Sequence, residues 1–220
     1  GFPAWSPSGE RLAVKVHTAQ SEAFLVGAPG SAAPPDTLSA AVAARTDVLE
    51  FLDEHTLLVR DLDGTMVGRV DLRQRPQRID TLVQPAIFAS VSPDQRRIAW
   101  HAPEATTLFV SEYPRGARRI QVASGGVEPL WLSSTELLFR SSVRWFVARF
   151  DARTGELSGP PTPWSEDFRF LDTPGWSNRL SHDGGIIYSQ ALGTNQLGYL
   201  RVMPDFARRV KAAAAEGERQ

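Results

Sequence analysis

Pro3-Ala4-Trp5-Ser6-Pro7-Ser8-Gly9, running into Leu12-Ala13-Val14, is a phrase that returns along this 220-residue chain. Ser92-Pro93-Asp94 runs into Ile98-Ala99-Trp100, and Ser181-His182-Asp183-Gly184 into Ile186-Ile187-Tyr188. Two degenerate copies fill the intervals and align with each other without a gap. They are Phe51-Leu52-Asp53-Glu54-His55-Thr56-Leu57 and Trp131-Leu132-Ser133-Ser134-Thr135-Glu136-Leu137. Each copy reads as a strand, a tight turn and a second strand. Pro presets the backbone angle of the first central turn position, Asp or Ser bonds back to the local backbone, and Gly tolerates positive φ. Where Gly is missing, at Gln95 and in Ser133-Ser134, an altered or shortened hairpin is expected.

The first apolar residue after each turn, Leu12, Leu57, Ile98, Leu137 and Ile186, marks five units separated by 45, 41, 39 and 49 residues. A four-stranded propeller blade takes about 40–45 residues, whereas helical repeats of that length show apolar residues three and four apart. Here the units carry short apolar runs instead, such as Phe24-Leu25-Val26, Leu108-Phe109-Val110 and Trp145-Phe146-Val147, bounded by Pro, Gly, Asp and Ser. The spacing therefore predicts an all-β fold, a β-propeller of five blade-like units that forms part of a larger propeller. The units run over about 1–45, 46–83, 84–123, 124–165 and 166–205. A short C-terminal helix and tail follow at 206–220, where Phe206 and Val210 lie one helical turn apart and Gly217 stands beyond the end. Trp5 and Trp131 stand on the strand before the turn, Trp176 sits near the equivalent place, and all three read as blade-to-blade packing rather than binding platforms. A large aromatic buries roughly 150–250 Å², a gross gain of about 4–6 kcal/mol before entropy is charged.

Net charge is −1 and the sequence pI about 6.5, so no global field draws the chain to nucleic acid or to an anionic membrane. Arg115, Arg118 and Arg119 are the tightest basic cluster and read as solvated strand and turn positions. The chain has no cysteine, which removes disulfides and thiolate chemistry and is compatible with either side of a bacterial membrane. No apolar run approaches the ~18–20 residues that cross a bilayer, so this chain is not expected to insert into a membrane. Its first residues are already blade strand, and the last unit has three readable strands, at 174–181, 185–190 and 197–203. A propeller closes by mixing strands from both ends of its chain, so the fourth strand is expected from an upstream strand or domain of the parent protein.

At Leu108-Phe109-Val110-Ser111-Glu112-Tyr113-Pro114, Arg119 to Gly126, and Glu128-Pro129-Leu130-Trp131 the sequence resembles the WD40-like, TolB-type (PD40) propeller repeats of bacterial proteins. More narrowly, it resembles the C-terminal propellers attached to bacterial serine/threonine protein kinases. There an aromatic-Pro pair ends one strand and Ser-x-Gly-Gly leads to Pro-x-Trp. Residues 84–206 match best; Trp131 departs from the pattern in lacking a following Pro-Asp-Gly. The resemblance implies a sensing or protein-interaction module on the extracytoplasmic face of a membrane protein, its partner a protein, a peptide or a small ligand. No kinase motif occurs in these residues, so no kinase activity is assigned to them. Two rivals remain: a TolB-like envelope protein working by protein contacts, and the accessory propeller of a hydrolase or peptidase.

Catalytic, cofactor and metal residues are not expected. His17, His55, His101 and His182 fall in four different units without a second ligand at metal-site spacing. Asp61-Leu62-Asp63-Gly64 resembles the start of a calcium loop but lacks the third acidic position and the distal Glu, and reads as a hairpin turn. Gly175-Trp176-Ser177-Asn178-Arg179 departs from a nucleophile elbow at its last position. Asp151, Glu156, Glu166 and Asp167 are scattered loop carboxylates rather than an acid/base pair. The best candidate for recognition is the long connection Glu166 to Asp172, where Phe168, Arg169 and Phe170 could supply an aromatic-Arg contact on a stiff scaffold.

Overall fold

The computed structural model describes residues 3–17, 22–103, 106–115, 118–142, 144–165, 178–180, 186–190 and 199–203. They form five antiparallel sheets. Sheet 1 consists of β1 (Ala4–Trp5), β2 (Leu12–His17), β3 (Glu22–Gly27) and β4 (Asp36–Thr37). Sheet 2 holds β5 (Thr46–Phe51), β6 (Thr56–Asp61), β7 (Val67–Asp71) and β8 (Asp80–Val83). Sheet 3 holds β9 (Phe88–Val91), β10 (Arg97–His101), β11 (Leu108–Glu112) and β12 (Arg119–Ala123). Sheet 4 holds β13 (Gly126–Trp131), β14 (Glu136–Ser141), β15 (Arg144–Arg149) and β16 (Thr162–Ser165). The last sheet has three described strands, β17 (Asn178–Leu180), β18 (Ile186–Gln190) and β19 (Tyr199–Met203). Each sheet is a simple up-and-down meander, the order that short hairpin connections between consecutive strands produce. Residues 204–220, where the terminal helix is expected, lie outside the described residues.

First strands adjoin one another from sheet to sheet: β1 meets β5, β5 meets β9, and β9 meets β13. The sheets therefore fan out from a common line, with β4, β8, β12 and β16 outermost. Three hydrophobic clusters lie between successive sheets. Ala13, Phe24 and Val26 of sheet 1 meet Phe51, Leu57 and Val59 of sheet 2. Leu49, Leu58 and Val67 of sheet 2 meet Val91, Ile98 and Trp100 of sheet 3. Ala99, Leu108 and Val110 of sheet 3 meet Trp131, Leu137 and Phe139 of sheet 4. Because strand side chains alternate between faces, adjacent residues such as Leu57 and Leu58 serve different clusters. The link from sheet 1 to sheet 2 carries one helical turn, α1 (Ala40–Ala43), that the strand pattern does not announce; Val42 and Ala43 are buried there.

The hairpin turns come in two lengths. In the first and third units Ser6 N donates to Arg11 O and Ser92 N to Arg97 O, both at 2.9 Å. The serine hydroxyls return the bond, accepting from Arg11 N at 3.1 Å and Arg97 N at 2.9 Å. In the second and fourth units the turn is one residue shorter, closed by Leu52 N to Thr56 O at 2.8 Å and Leu132 N to Glu136 O at 2.9 Å. The expectation of a shortened hairpin thus holds at Ser133-Ser134 and fails at Gln95. Gln95 takes φ +54°, close to the +74° of Gly9, and preserves the longer turn despite its side chain. Its amide Nε2 donates to Leu52 O at 3.0 Å, a contact that offsets the cost of the left-handed backbone.

Gly126 shows how closely the sheets approach. A Cβ there would lie 2.8 Å from Leu108 Cβ of the preceding sheet and 3.1 Å from Phe139 Cδ2. Overpacking of this kind costs about 1–3 kcal/mol. Gly126→Ala is expected to lower the urea unfolding midpoint correspondingly without changing the far-ultraviolet circular dichroism. An unshifted midpoint would show that sheets 3 and 4 are not packed this tightly.

Candidate interaction surface

The turns that open the first four units lie side by side along one edge of the fan and are bonded to one another. Arg11 Nη1 donates to Glu54 O at 2.6 Å, and Arg97 Nη1 donates to Ser134 O at 2.7 Å. Arg11 and Arg97 each stand immediately before the unit marker, and Glu54 and Ser134 each stand three residues before theirs. The same clamp is thus made twice, from a longer turn to the shorter turn that follows. Ser8 N adds a bond to Glu54 Oε1 at 2.8 Å. Between sheets 2 and 3 the clamp is replaced by Glu50, whose Oε1 accepts from Val91 N at 2.9 Å, and by the Gln95 amide.

On this edge, where sheets 1 and 2 meet, lies an open recess of about 630 Å³ lined by Arg11, Asp36, His55, Leu72, Arg73 and Arg75. Arg11 Nη2 meets Asp36 Oδ2 at 2.9 Å. Arg73 forks onto Asp71, with Nε to Oδ1 at 3.0 Å and Nη2 to Oδ2 at 3.1 Å. The Arg73 side-chain bonds hold the Asp71 carboxyl below its ordinary pKa. Arg75 Nη1 bonds the Leu72 and Gln74 carbonyls, which fixes the β7–β8 loop and leaves its charge without a carboxylate among the described residues. Beyond Arg73 a second recess of about 250 Å³ is lined by Thr56, Arg69, Asp71, Arg73, Gln74, Arg78 and Asp80. Asp80 there takes Arg69 at 3.0 Å and also Arg115. Together the two linings hold five arginines and three aspartates. This local excess of positive charge sits on a chain whose net charge is −1.

A second group of polar residues lies inside the fan. Three positions after the first four markers stand Lys15, Arg60, His101 and Arg140. Asp47 is shared by Lys15 and Arg60, each at 3.3 Å. Burial raises the Asp47 pKa, but the charge and hydrogen bond of Lys15 outweigh it and the net shift is downward. Arg60 lies over the Phe88 ring at 5.2 Å, and Phe88 meets His101 edge-on, also at 5.2 Å. Arg140 forks onto Glu128 at 3.0 and 3.2 Å. His101 is 5 % exposed, and burial lowers its pKa from 6.5 to about 4.

The residues singled out from sequence separate clearly. Phe168, Arg169 and Phe170, with Glu166, Asp167, Trp176 and His182, lie outside the described residues. Asp61 closes its own hairpin, accepting Thr65 N at 2.7 Å, Met66 N at 2.8 Å and Thr65 Oγ1 at 2.6 Å. Asp151 does the same with Arg153 N at 2.9 Å and Thr154 N at 2.6 Å, and Glu156 pairs with Arg118. Arg115 and Arg118 are exposed but ion-paired, and Arg119 lies over the Trp100 ring at 5.0 Å. All three are exposed, as expected of solvated strand and turn positions, and each also has a partner. Trp131 packs between sheets as expected, its Nε1 donating to Ser90 O at 3.1 Å. Trp5 does not: it is 54 % exposed, because no described sheet stands in front of the face it occupies.

Among solved structures the chain is similar to TolB from Acinetobacter baumannii, with a TM-score of 0.67, 17 % identity, and 94 % of this chain and 52 % of that one covered. It is likewise similar to the Cps50 (Swd1) β-propeller domain of Myceliophteria thermophila, with a TM-score of 0.60, 12 % identity, and 91 % and 68 % covered. The fold is a β-propeller. A third similar structure is a puromycin-hydrolysing peptidase of Mycobacterium tuberculosis, with a TM-score of 0.52, 14 % identity, and 92 % and 44 % covered. The chain spans about half the length of the TolB structure it matches. No family model matches the chain, and no curated protein matches it in sequence. The five sheets are thus blades of a propeller, and the charged recesses sit on the rim that carries the turns.

His101 gives the propeller an acid-sensitive interior. The unfolded chain takes up a proton on this residue near pH 6.5, whereas the folded chain resists until about pH 4. Stability from keeping the ring neutral is therefore complete above pH 6.5 and is lost as pH falls through that window. The aspartates with lowered pKa values titrate below it. His101→Phe is expected to flatten the dependence of Tm on pH between 6.5 and 4; parallel profiles for variant and wild type would refute this.

Proposed function

We propose that this chain is a noncatalytic interaction module whose turn-bearing rim receives an acidic protein or peptide segment. The carrying observation is the pair of adjoining recesses that share Arg73 and hold more arginine than aspartate. Guanidinium forks suit carboxylates in two-point contact. The interleaved Asp36, Asp71 and Asp80 would repel a continuous phosphate backbone but tolerate a peptide with spaced acidic side chains. The bonded turns keep this edge stiff, so little ordering cost falls on the propeller when a partner binds. Loop carboxylates such as Asp61 and Asp151 are occupied within their own turns, which fits recognition better than acid/base chemistry. The finer reading, suggested by the sequence resemblance, is the sensor or docking portion of a bacterial signalling protein of the receptor serine/threonine kinase type. Phe168, Arg169 and Phe170 are proposed as a second contact on the connection to the last blade.

Fluorescein-labelled hexaglutamate, titrated by anisotropy at low ionic strength, tests the rim. Arg73→Glu combined with Arg75→Glu is expected to weaken binding at least tenfold, about 1.4 kcal/mol, with the far-ultraviolet circular dichroism unchanged. Arg144→Glu, an exposed residue of β15, should leave it intact. Absence of binding by the wild type, or equal loss in both variants, rejects the proposal. For the second contact, Phe168→Ala with Phe170→Ala should lose a natural partner while keeping Tm; a fall in Tm would assign both rings to packing.

A further inference from the structure

Each recess on the turn-bearing rim holds one arginine that no carboxylate meets among the described residues. In the first, Arg11 is taken by Asp36 and Arg73 by Asp71, and Arg75 is left over. In the second, Arg69 is taken by Asp80 and Arg73 again by Asp71, and Arg78 is left over. Both residues are exposed, and both stand on the same short β7–β8 loop. Three residues of chain span at most about 10–11 Å, so one short segment of a partner reaches both recesses.

The loop that carries them is pinned at several points. Leu72 is buried, and its N donates to His55 O at 2.7 Å. Arg75 Nη1 staples the tip to the Leu72 and Gln74 carbonyls and so fixes the direction in which the rest of its guanidinium is presented. Gln77, between the two arginines, is 7 % exposed, and its Oε1 accepts from Ser39 N at 2.6 Å in the link that leads to α1. Its Nε2 is buried without a hydrogen-bond partner among the described residues. A buried amide satisfied on one side only is a poor packing element. What the side chain supplies is the bond to Ser39, which anchors the loop between Arg75 and Arg78 and sets their separation.

We propose that the β7–β8 loop is a two-pronged reader of paired acidic side chains. Arg75 takes one carboxylate in the first recess, Arg78 takes a second in the other, and Gln77 is the positioning residue that holds the two apart. This rests on the rim receiving an acidic segment, and it narrows that segment to one with two carboxylates at a set spacing. An arginine already engaged by aspartate must give up that bond to meet a partner, whereas Arg75 and Arg78 form charge-assisted bonds without such a loss. Once the first carboxylate is bound, the second contact is intramolecular and is lost where the geometry forbids both at once. Affinity therefore depends on the distance between the carboxylates and not on their number alone.

Fluorescein-labelled Gly/Ser dodecapeptides carrying two glutamates, with zero to four residues between them, have equal charge and differ only in spacing. By anisotropy at low ionic strength, one spacing is expected to bind the chain at least threefold more tightly than the rest. Arg75→Gln and Arg78→Gln should each abolish that preference, and Arg144→Gln should keep it. Gln77→Leu, with unchanged far-ultraviolet circular dichroism, should flatten the preference while hexaglutamate still binds. Equal affinities across the series, with hexaglutamate bound by the wild type, overturn the two-pronged reader and leave the acidic-segment reading of the rim standing. Failure of hexaglutamate itself to bind overturns both. A preference that survives Arg75→Gln or Arg78→Gln, or is lost in Arg144→Gln, assigns the spacing to other groups and overturns the proposal. One that survives Gln77→Leu removes Gln77 from the positioning role.

Discussion

Everything in this molecule depends on apolar packing between sheets, because no single sheet here can hide both of its faces. Four strands of two to six residues expose apolar side chains on either side, and an isolated small sheet is marginal in water. Stacking sheets around a line buries both faces at once and turns the strand period of two into two separate interfaces, as Leu57 and Leu58 show. The wedge shape follows from the same packing. Bulky residues enter where the facing sheet offers alanine, and Gly126 lets the Leu108 side chain of the neighbouring sheet come closer than a Cβ at that position would allow.

The polar features are consequences of that arrangement. Antiparallel meanders place the opening turns of the first four units on the same rim, so these turns can be stitched together by Arg11, Arg97 and Gln95. The β7–β8 loop then stands beside a fixed wall, and the charged recesses form between the two. On the second strands, the charges of Lys15, Arg60 and Arg140 stand beside Asp47 or Glu128, as burial of an ion demands a partner. His101 occupies the same repeat position without a carboxylate partner among the described residues, and burial keeps it neutral instead.

Much of the architecture was legible because turn chemistry and apolar spacing act locally. Ser6, Pro7 and Gly9 announce their hairpin, and five aligned markers announce the radial repeat. Gln95 was misread because the residue that tolerates its backbone angle does so through a bond to Leu52 in another unit, which no local rule contains. Trp5 was misread for a different reason: its residue type and strand position specify a packing role, whereas the described residues leave it 54 % exposed. The recesses were invisible in the sequence because Arg11, His55 and Arg75 come from separate turns and gain meaning only by juxtaposition.

The alternation of turn lengths sets the grain of the whole assembly. A long turn with its arginine and a short turn with its receiving carbonyl form a matched couple, made once by sheets 1 and 2 and again by sheets 3 and 4. The translational period of the hydrogen bonding is therefore two leaflets, even though the period of the hydrophobic pattern is one. Removing or inserting a single leaflet would set arginine against arginine or leave a carbonyl unclaimed, whereas moving a couple would leave both stitches intact. Lengthening or shortening this disc is easiest in even steps.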